Sequence, residues 1–363
     1  AGANMRIHRN DSPGFTSFVP PGVQTAANAA VVWEDLDGDG DRDLIMCGER
    51  ETEGRVTLVY SNDGDGSYTR QSFVLPYMSN GDIAAGDLDG DGDRDLVMMG
   101  EISGFTPRTR VFRNDGDWEF QEVVIGALAG RFAVVELADL DADGDLDLVL
   151  AGSPWDEPLF TRVYRNDGGL VFTDMQANLI GQRSGDVAAA DIDADGDLDL
   201  AVSGWYADLG PTVRVWRNDG GGLFTDLESG LPGSIGELAW ADFDRDGDLD
   251  LLHGDGHRLA QNGGTAVNSL PTAPTGLVAT VTDGRVTFAW QPATDAETPD
   301  AGLSYNLRAG TAPGGHDLLA AEALADGTRL VARRGNADHG TAWTLTVPDD
   351  VAQIFWSVQA VDG

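Results

Sequence analysis

Lysine is absent from this 363-residue chain: every one of its 23 basic residues is arginine, set against 61 acids. The formal net charge of −38 argues against nucleic acid and anionic membrane surfaces as partners, because both would be repelled. Cysteine is nearly absent too. The single Cys47 excludes an intrachain disulfide and, lying in an apolar stretch, reads as a buried thiol. No apolar run reaches the ~18 residues of a membrane span, so membrane insertion is not expected. The five histidines are scattered, and His253 and His257, the closest pair, read as surface residues of a hairpin. No Gly-x-Ser-x-Gly, His-Glu-x-x-His or phosphate-cradling glycine loop occurs, so no catalytic residue is assigned and the chain reads as a non-enzyme.

What is abundant is aspartate, in a repeated pattern. Asp35-Leu36-Asp37-Gly38-Asp39-Gly40-Asp41-Arg42-Asp43 recurs from Asp87, Asp139, Asp191 and Asp242, at steps of 52, 52, 52 and 51 residues. Counting loop positions from the first Asp, alternate carboxylates at 1, 3, 5 and 9 can surround a hard cation that takes six to eight oxygens. The candidate calcium ligands, one set per loop, are Asp35, Asp37, Asp39, Asp41 and Asp43; Asp87, Asp89, Asp91, Asp93 and Asp95; Asp139, Asp141, Asp143, Asp145 and Asp147; Asp191, Asp193, Asp195, Asp197 and Asp199; and Asp242, Asp244, Asp246, Asp248 and Asp250. Position 7 (Asp41 and its equivalents) is expected to offer its carbonyl and leave its side chain in water. Glycine at position 6 (Gly40, Gly92, Gly144, Gly196, Gly247) permits the tight turn. An EF-hand would have a glutamate at position 12, where these loops have Met46, Met98, Leu150, Val202 and His253. Each loop therefore joins two strands, and about five calcium ions are expected. Magnesium is less suited, since it keeps its waters.

A second landmark has the same period: Asn10, Asn62, Asn114, Asn166 and Asn218. Each ends an alternating strand and begins a turn, as in Val111-Phe112-Arg113-Asn114-Asp115, which is a hairpin signal. An aromatic follows each turn (Phe15, Tyr68, Phe120, Phe172, Phe224) and is expected to open the next strand. One period thus holds four short strands, and radial repetition of four-stranded units predicts an all-β chain with a five-bladed β-propeller over residues 1–264. The N-terminal strand is expected to pair with the strands around the last loop and complete a blade, although Arg258-Leu259-Ala260-Gln261-Asn262 also reads as such a strand. A linker at 265–273 precedes a β-sandwich at 274–363, about one strand short of complete.

On these motifs, residues 5 to about 264 resemble the FG-GAP/VCBS repeats of integrin α-subunit propellers and many secreted bacterial proteins. The resemblance implies calcium on Asp35, Asp37, Asp39 and Asp43 and their equivalents, and a scaffold for adhesion and ligand binding. Integrin propellers usually have seven blades with calcium in only some, whereas here every repeat carries the loop. Residues 274–363 look like a fibronectin type III domain, with Pro274, Trp290, Tyr305 and Trp356 at familiar places.

Chain direction puts the calcium loops on one rim and the longer, irregular loops on the other. Those loops hold Phe105, Trp155, Phe160, Trp205 and Tyr206, a candidate ligand face. Metal in place of disulfides points to the calcium-rich extracellular space, and Ala1-Gly2-Ala3 fits the residues left by a removed signal peptide. The reading is therefore a non-enzymatic extracellular binding, adhesion or structural module of a larger surface or secreted protein, with a protein or glycan ligand or neighbouring subunits as partners. Two alternatives stand beside it: a polysaccharide lyase or glycosidase on a propeller, and an assembly subunit using strand donation.

Overall fold

The computed structural model describes residues 6–10, 14–20, 22–64, 66–72, 75–102, 106–116, 118–155, 157–244, 246, 248–254, 258–263, 269–282, 284–320, 322–323, 333–348 and 351–362. Among these residues there are strands and turns and no helix. The 52-residue period appears as antiparallel sheets built in chain order. The first unit pairs Ala27–Glu34, Asp43–Arg50, Gly54–Asn62 and Tyr68–Arg70, and the second pairs Ser79–Gly86, Asp95–Ile102, Thr106–Asn114 and Phe120–Val123. The third (Arg131–Ala138 to Phe172–Asp174) and fourth (Gln182–Arg183 to Phe224–Asp226) repeat this plan, joined through the short strand Gln182–Arg183. Each of the aromatics Tyr68, Phe120, Phe172 and Phe224 opens a fourth strand; the last three pack on cores between units, Tyr68 packs on a cluster of its own first unit, and Phe15 is exposed.

The first strand of each of the first three units is bulged between Ala27 and Ala30, Ser79 and Asp82, and Arg131 and Val134. The bulge places Asn28, Asn80 and Phe132, and equivalently Ser184, at φ of 50°, 47°, 50° and 55°. An extra residue of this kind twists the strand and re-aims the side chains next to it.

The fifth unit departs from the sequence reading. Leu238–Ala241 and Asp250–His253 pair, and the third place is filled by Arg258–Ala260 rather than by the N-terminal strand. Ile7–Asn10 instead forms a separate hairpin with Phe15–Phe18. Chain proximity decides this: a turn of a few residues closes a strand pair at lower entropic cost than the whole chain does. His253 is likewise not at the surface; it is buried on its strand, which pushes its pKa down.

Successive units are joined by apolar layers. Val32, Leu36, Ile45, Cys47 and Val59 of the first unit pack on Ile83, Ala85, Leu96, Met98 and Phe112 of the second. Cys47 is the buried thiol expected, its pKa pushed up to about 12 by burial. The first strands of all five units, with the small residues Ala84, Ala85, Ala188 and Ala189, line one cavity of about 680 Å³. Glu136, Asp82 and Asp186 also line it. Burial raises Glu136 to about 8 against the opposing pull of Arg334, with smaller raising contributions from Asp186 and Asp82.

In the C-terminal region Thr275–Thr282, Arg285–Gln291 and Ala342–Thr346 form one sheet, and Ser304–Gly310 with Phe355–Val361 forms another. Phe288, Trp290, Tyr305, Leu307, Trp343, Leu345 and Trp356 fill the space between them. Among the described residues Phe355–Val361 pairs along one side only, with Ser304–Gly310.

This region sits on the rim of the Asp-rich loops. The Thr346 amide donates to the Gly38 carbonyl (3.1 Å), and Arg42 pairs with Glu322. Arg94 pairs with Asp338, which also accepts from the Asp87 amide (3.2 Å). Arg334 donates to the carbonyls of Ala85 (2.7 Å) and Leu137 (3.0 Å), and all three residues line the cavity. Burial alone would raise the Asp338 carboxyl, but Arg94 and Arg334 outweigh it and hold the pKa below its usual value.

Candidate metal centres and the opposite rim

Each Asp-rich loop is wound by its own carboxylates. The position-1 side chain accepts from the position-6 amide: Gly40 to Asp35, Gly92 to Asp87, Gly144 to Asp139 and Gly196 to Asp191, all at 3.0 Å. These glycines have φ between 92° and 97°, where a Cβ would be strained. The position-5 carboxylate accepts from the position-7 amide in every copy, from 2.9 Å at Asp39 to 3.3 Å at Asp246.

Position 9 does most to fix the loop. Asp43 accepts from the Leu36 amide (2.8 Å) with one oxygen and from the Asn62 amide (2.9 Å) with the other. Asp95, Asp147, Asp199 and Asp250 repeat the pair with Leu88 and Asn114, Leu140 and Asn166, Ile192 and Asn218, and Phe243 and Asn262. All five of these carboxylates are buried.

The structure brings the expected ligands together in threes, with ligand oxygens within 4.8 Å of one another. The groups are Asp35, Asp37 and Asp39; Asp87, Asp89 and Asp95; Asp139, Asp141 and Asp147; Asp191, Asp193 and Asp199; and Asp242, Asp244 and Asp246. Position 7 joins none of these groups. Its carboxylate does not simply face water: a Cβ on Gly116, Gly168 or Gly220 of the hairpin turn would lie 3.2, 3.4 or 3.3 Å from Asp93, Asp145 or Asp197. Glycine in the Asn-Asp-Gly phrase thus makes room for the loop beside it.

The donor set fits a hard cation. Asp141 Oδ1 and Asp193 Oδ1, both at position 3, are buried without a hydrogen-bond partner. Burial first, and then neighbouring charges and hydrogen bonds, set the carboxyls at position 1 to about 7 in Asp35 and Asp139 and about 6 in Asp87 and Asp191. At position 9, Asp43, Asp95 and Asp147 rise to about 8 and Asp199 to about 7, again chiefly through burial. Carboxyls raised to about 7 or 8 in this way hold protons near neutral pH, and a compensating cation would favour their ionised form.

The periodic asparagines hold the units together, a role the sequence does not announce. Asn114 Nδ2 donates to the Leu36 carbonyl of the preceding loop (2.9 Å), Asn166 to Leu88 (2.8 Å), Asn218 to Leu140 (2.8 Å) and Asn262 to Ile192 (3.2 Å). Asn62 donates instead to Arg42 of its own unit (3.1 Å).

On the opposite rim the candidate ligand-face residues separate. Trp155 is 51% exposed and Trp205 43%, while Phe160 and Tyr206 are buried, and Phe105 lies outside the described residues. Residues the sequence reading passed over stand between the two tryptophans: Arg131 lies over the Trp155 ring at 4.1 Å and the Phe132 ring at 5.4 Å, and Arg183 lies over Phe132 at 5.3 Å. Arg183 is also the cross-strand neighbour of Trp205. The available signal was that Arg131 and Arg183 are one period apart.

Residues 35–98, 139–202 and 205–253 match the family model of the FG-GAP-like repeat, so the chain carries repeats of this kind. No curated protein matches it. Among solved structures, the V. cholerae biofilm matrix protein Bap1 is similar with a TM-score of 0.31 and 15% identity, over 93% of this chain and 62% of that one. The chain thus spans less than two thirds of that structure's length.

Proposed function

We propose that this chain is an extracellular, non-enzymatic binding or structural module, part of a larger surface or secreted protein. In this reading the five units are blades of a β-propeller, and about five calcium ions fix one of its rims. A fibronectin type III-like sandwich follows the propeller. The observation that carries the reading is the recurrence of one bond set: in all five loops position 9 bridges two backbone amides, and three carboxylates converge. The cavity shared by the five first strands supports radial rather than linear stacking. Millimolar extracellular calcium would keep such loops filled, and ions that bind only the folded state stabilise it by mass action. Counting bound calcium per chain by elemental analysis, with melting followed before and after chelation, tests this. About five ions and a marked fall in melting temperature are expected; one ion or none would overturn it.

A further inference from the structure

We propose that the rim opposite the calcium loops binds a carboxylate-bearing glycan along the row Trp155, Arg131, Phe132, Arg183, Trp205. The row alternates aromatic and cation across two units. A hydrogen bond from the Ser184 amide to the Phe132 carbonyl (2.9 Å) ties those units together where it crosses. Arg131 and Arg183 occupy the same place in consecutive repeats, where the first two units have Ala27 and Ser79. Arg131 begins Arg131–Ala138 and Arg183 ends Gln182–Arg183, each eight residues before its Asp-rich loop, which along Arg131–Ala138 is roughly 25 Å at the rise of a strand.

The charges of this row are less neutralised than those of many arginines of the chain. Arg42, Arg94, Arg110, Arg165, Arg214 and Arg217 are each held by a carboxylate of the protein itself. Among the described residues Arg183 has no ion pair. Arg131 meets only Glu101, at 3.7 Å, and that carboxylate is already held by Arg55 at 3.0 Å; Arg131 Nε is buried without a hydrogen-bond partner. A guanidinium is a forked donor suited to a carboxylate, and a half-exposed tryptophan offers a flat apolar face for a sugar ring. Arginine and tryptophan alternating along a rim therefore match a polymer that alternates carboxylate and ring. The net charge of −38 does not oppose this at close range, because screening at physiological salt acts over about 8 Å. A peptide fits less well: it would add to a free strand edge, and Gln182–Arg183 is paired on both sides, with Phe160 and Tyr206.

This inference rests on the binding-module reading but not on calcium, and one set of samples separates the two. The calcium-loaded chain is titrated calorimetrically with a hyaluronan decasaccharide, with a neutral maltodextrin of the same length, and with a glutamate decapeptide. Preferential binding of the hyaluronan fragment is expected, weakened about tenfold by Arg183→Gln and again by Arg131→Gln, the scale of a lost charged hydrogen bond. Trp205→Ala, which removes a ring and leaves both charges, should weaken binding several-fold. The proposal is overturned if hyaluronan does not bind, if the neutral sugar or the peptide binds as tightly, or if Arg183→Gln and Trp205→Ala both bind like the parent. The melting temperature of each variant with and without chelator shows whether it has folded and reports separately on the metal reading.

Discussion

The first four Asp-rich loops and the fifth share one sequence pattern and differ in what covers them. In the first three, the residue after the first Asp is buried between units: Leu36 is 2% exposed, and Leu88 and Leu140 1% each. In the fifth, Phe243 is 48% exposed, and Asp242, Asp244 and Asp246 all face solvent. Leu259, on the third strand of the fifth unit, is exposed too, whereas its equivalents Val59, Val111, Val163 and Val215 are buried. A motif therefore sets the winding of a loop, while the next unit sets its desolvation. The first strand of the first unit shows the mirror image. Val31 and Trp33 are exposed where Ile83 and Ala85, Val135 and Leu137, and Leu238 and Trp240 are buried. Every covered loop has a neighbour clasped onto it by an asparagine.

The largest effect should come from removing the metal altogether. Chelation is expected to lower the melting temperature by about 15 °C or more, since each ion at a hundred times its Kd adds ~2.7 kcal/mol. Calcium should leave the exposed fifth loop first. A titration that counts bound ion against melting temperature would show about one ion lost before the main fall, and simultaneous loss of all ions would erase the contrast between the loops.

Next in size is the position-9 carboxylate. Asp147→Ala strands two buried amides, those of Leu140 and Asn166, and is expected to cost about 3 kcal/mol. Asp250→Ala, in the less covered loop, should cost about 1 kcal/mol. Urea unfolding of the two variants measures the difference directly. The clasp comes third: Asn166→Ala removes a bond to the preceding unit and is expected to cost about 2 kcal/mol, against less than about 1 kcal/mol for Asn62→Ala. Equal values would mean that the clasp does not distinguish the units.

The mildest test leaves the loops untouched. Burial raises Glu136 from 4.5 to about 8 in the folded state. Between those values the folded protein holds a proton that the unfolded chain releases, so this group's contribution to stability is lost as pH rises from about 5 to 8. Glu136→Gln should therefore match the parent near pH 5 and be about 1 kcal/mol more stable at pH 8, read as a melting temperature higher by about 2–4 °C.

Much of the array was legible in the sequence, because its signals are local. The loop, the Asn-Asp-Gly turn and the aromatic that opens the fourth strand each lie within a few residues of what they determine. The parts that were not legible depend on separate units meeting. The acceptor of each clasp is a backbone carbonyl, which has no sequence signature. Whether the fifth unit took its third strand from Arg258–Ala260 or from Ile7–Asn10 depended on a competition between two similar phrases, settled by proximity. Phe160 and Tyr206 look like Trp155 and Trp205 in a loop-and-aromatic pattern, yet strand position buries the first pair. The seating of the C-terminal region on the loop rim was invisible as well. It uses Arg42 and Arg94 at position 8, where the third, fourth and fifth loops have Leu146, Leu198 and Leu249.

The clasp also defines a load path. Leu36, Leu88 and Leu140 are each gripped at the amide by a carboxylate of their own unit and at the carbonyl by an asparagine of the next. Tension applied across the array crosses each boundary through these peptide groups, a few further bonds such as Val135 to Asp82 and Ser184 to Phe132, and the apolar layer, while inside a unit it is shared along whole strand ladders. Force is therefore concentrated on the fewer bonds of the joints rather than on the ladders within each unit.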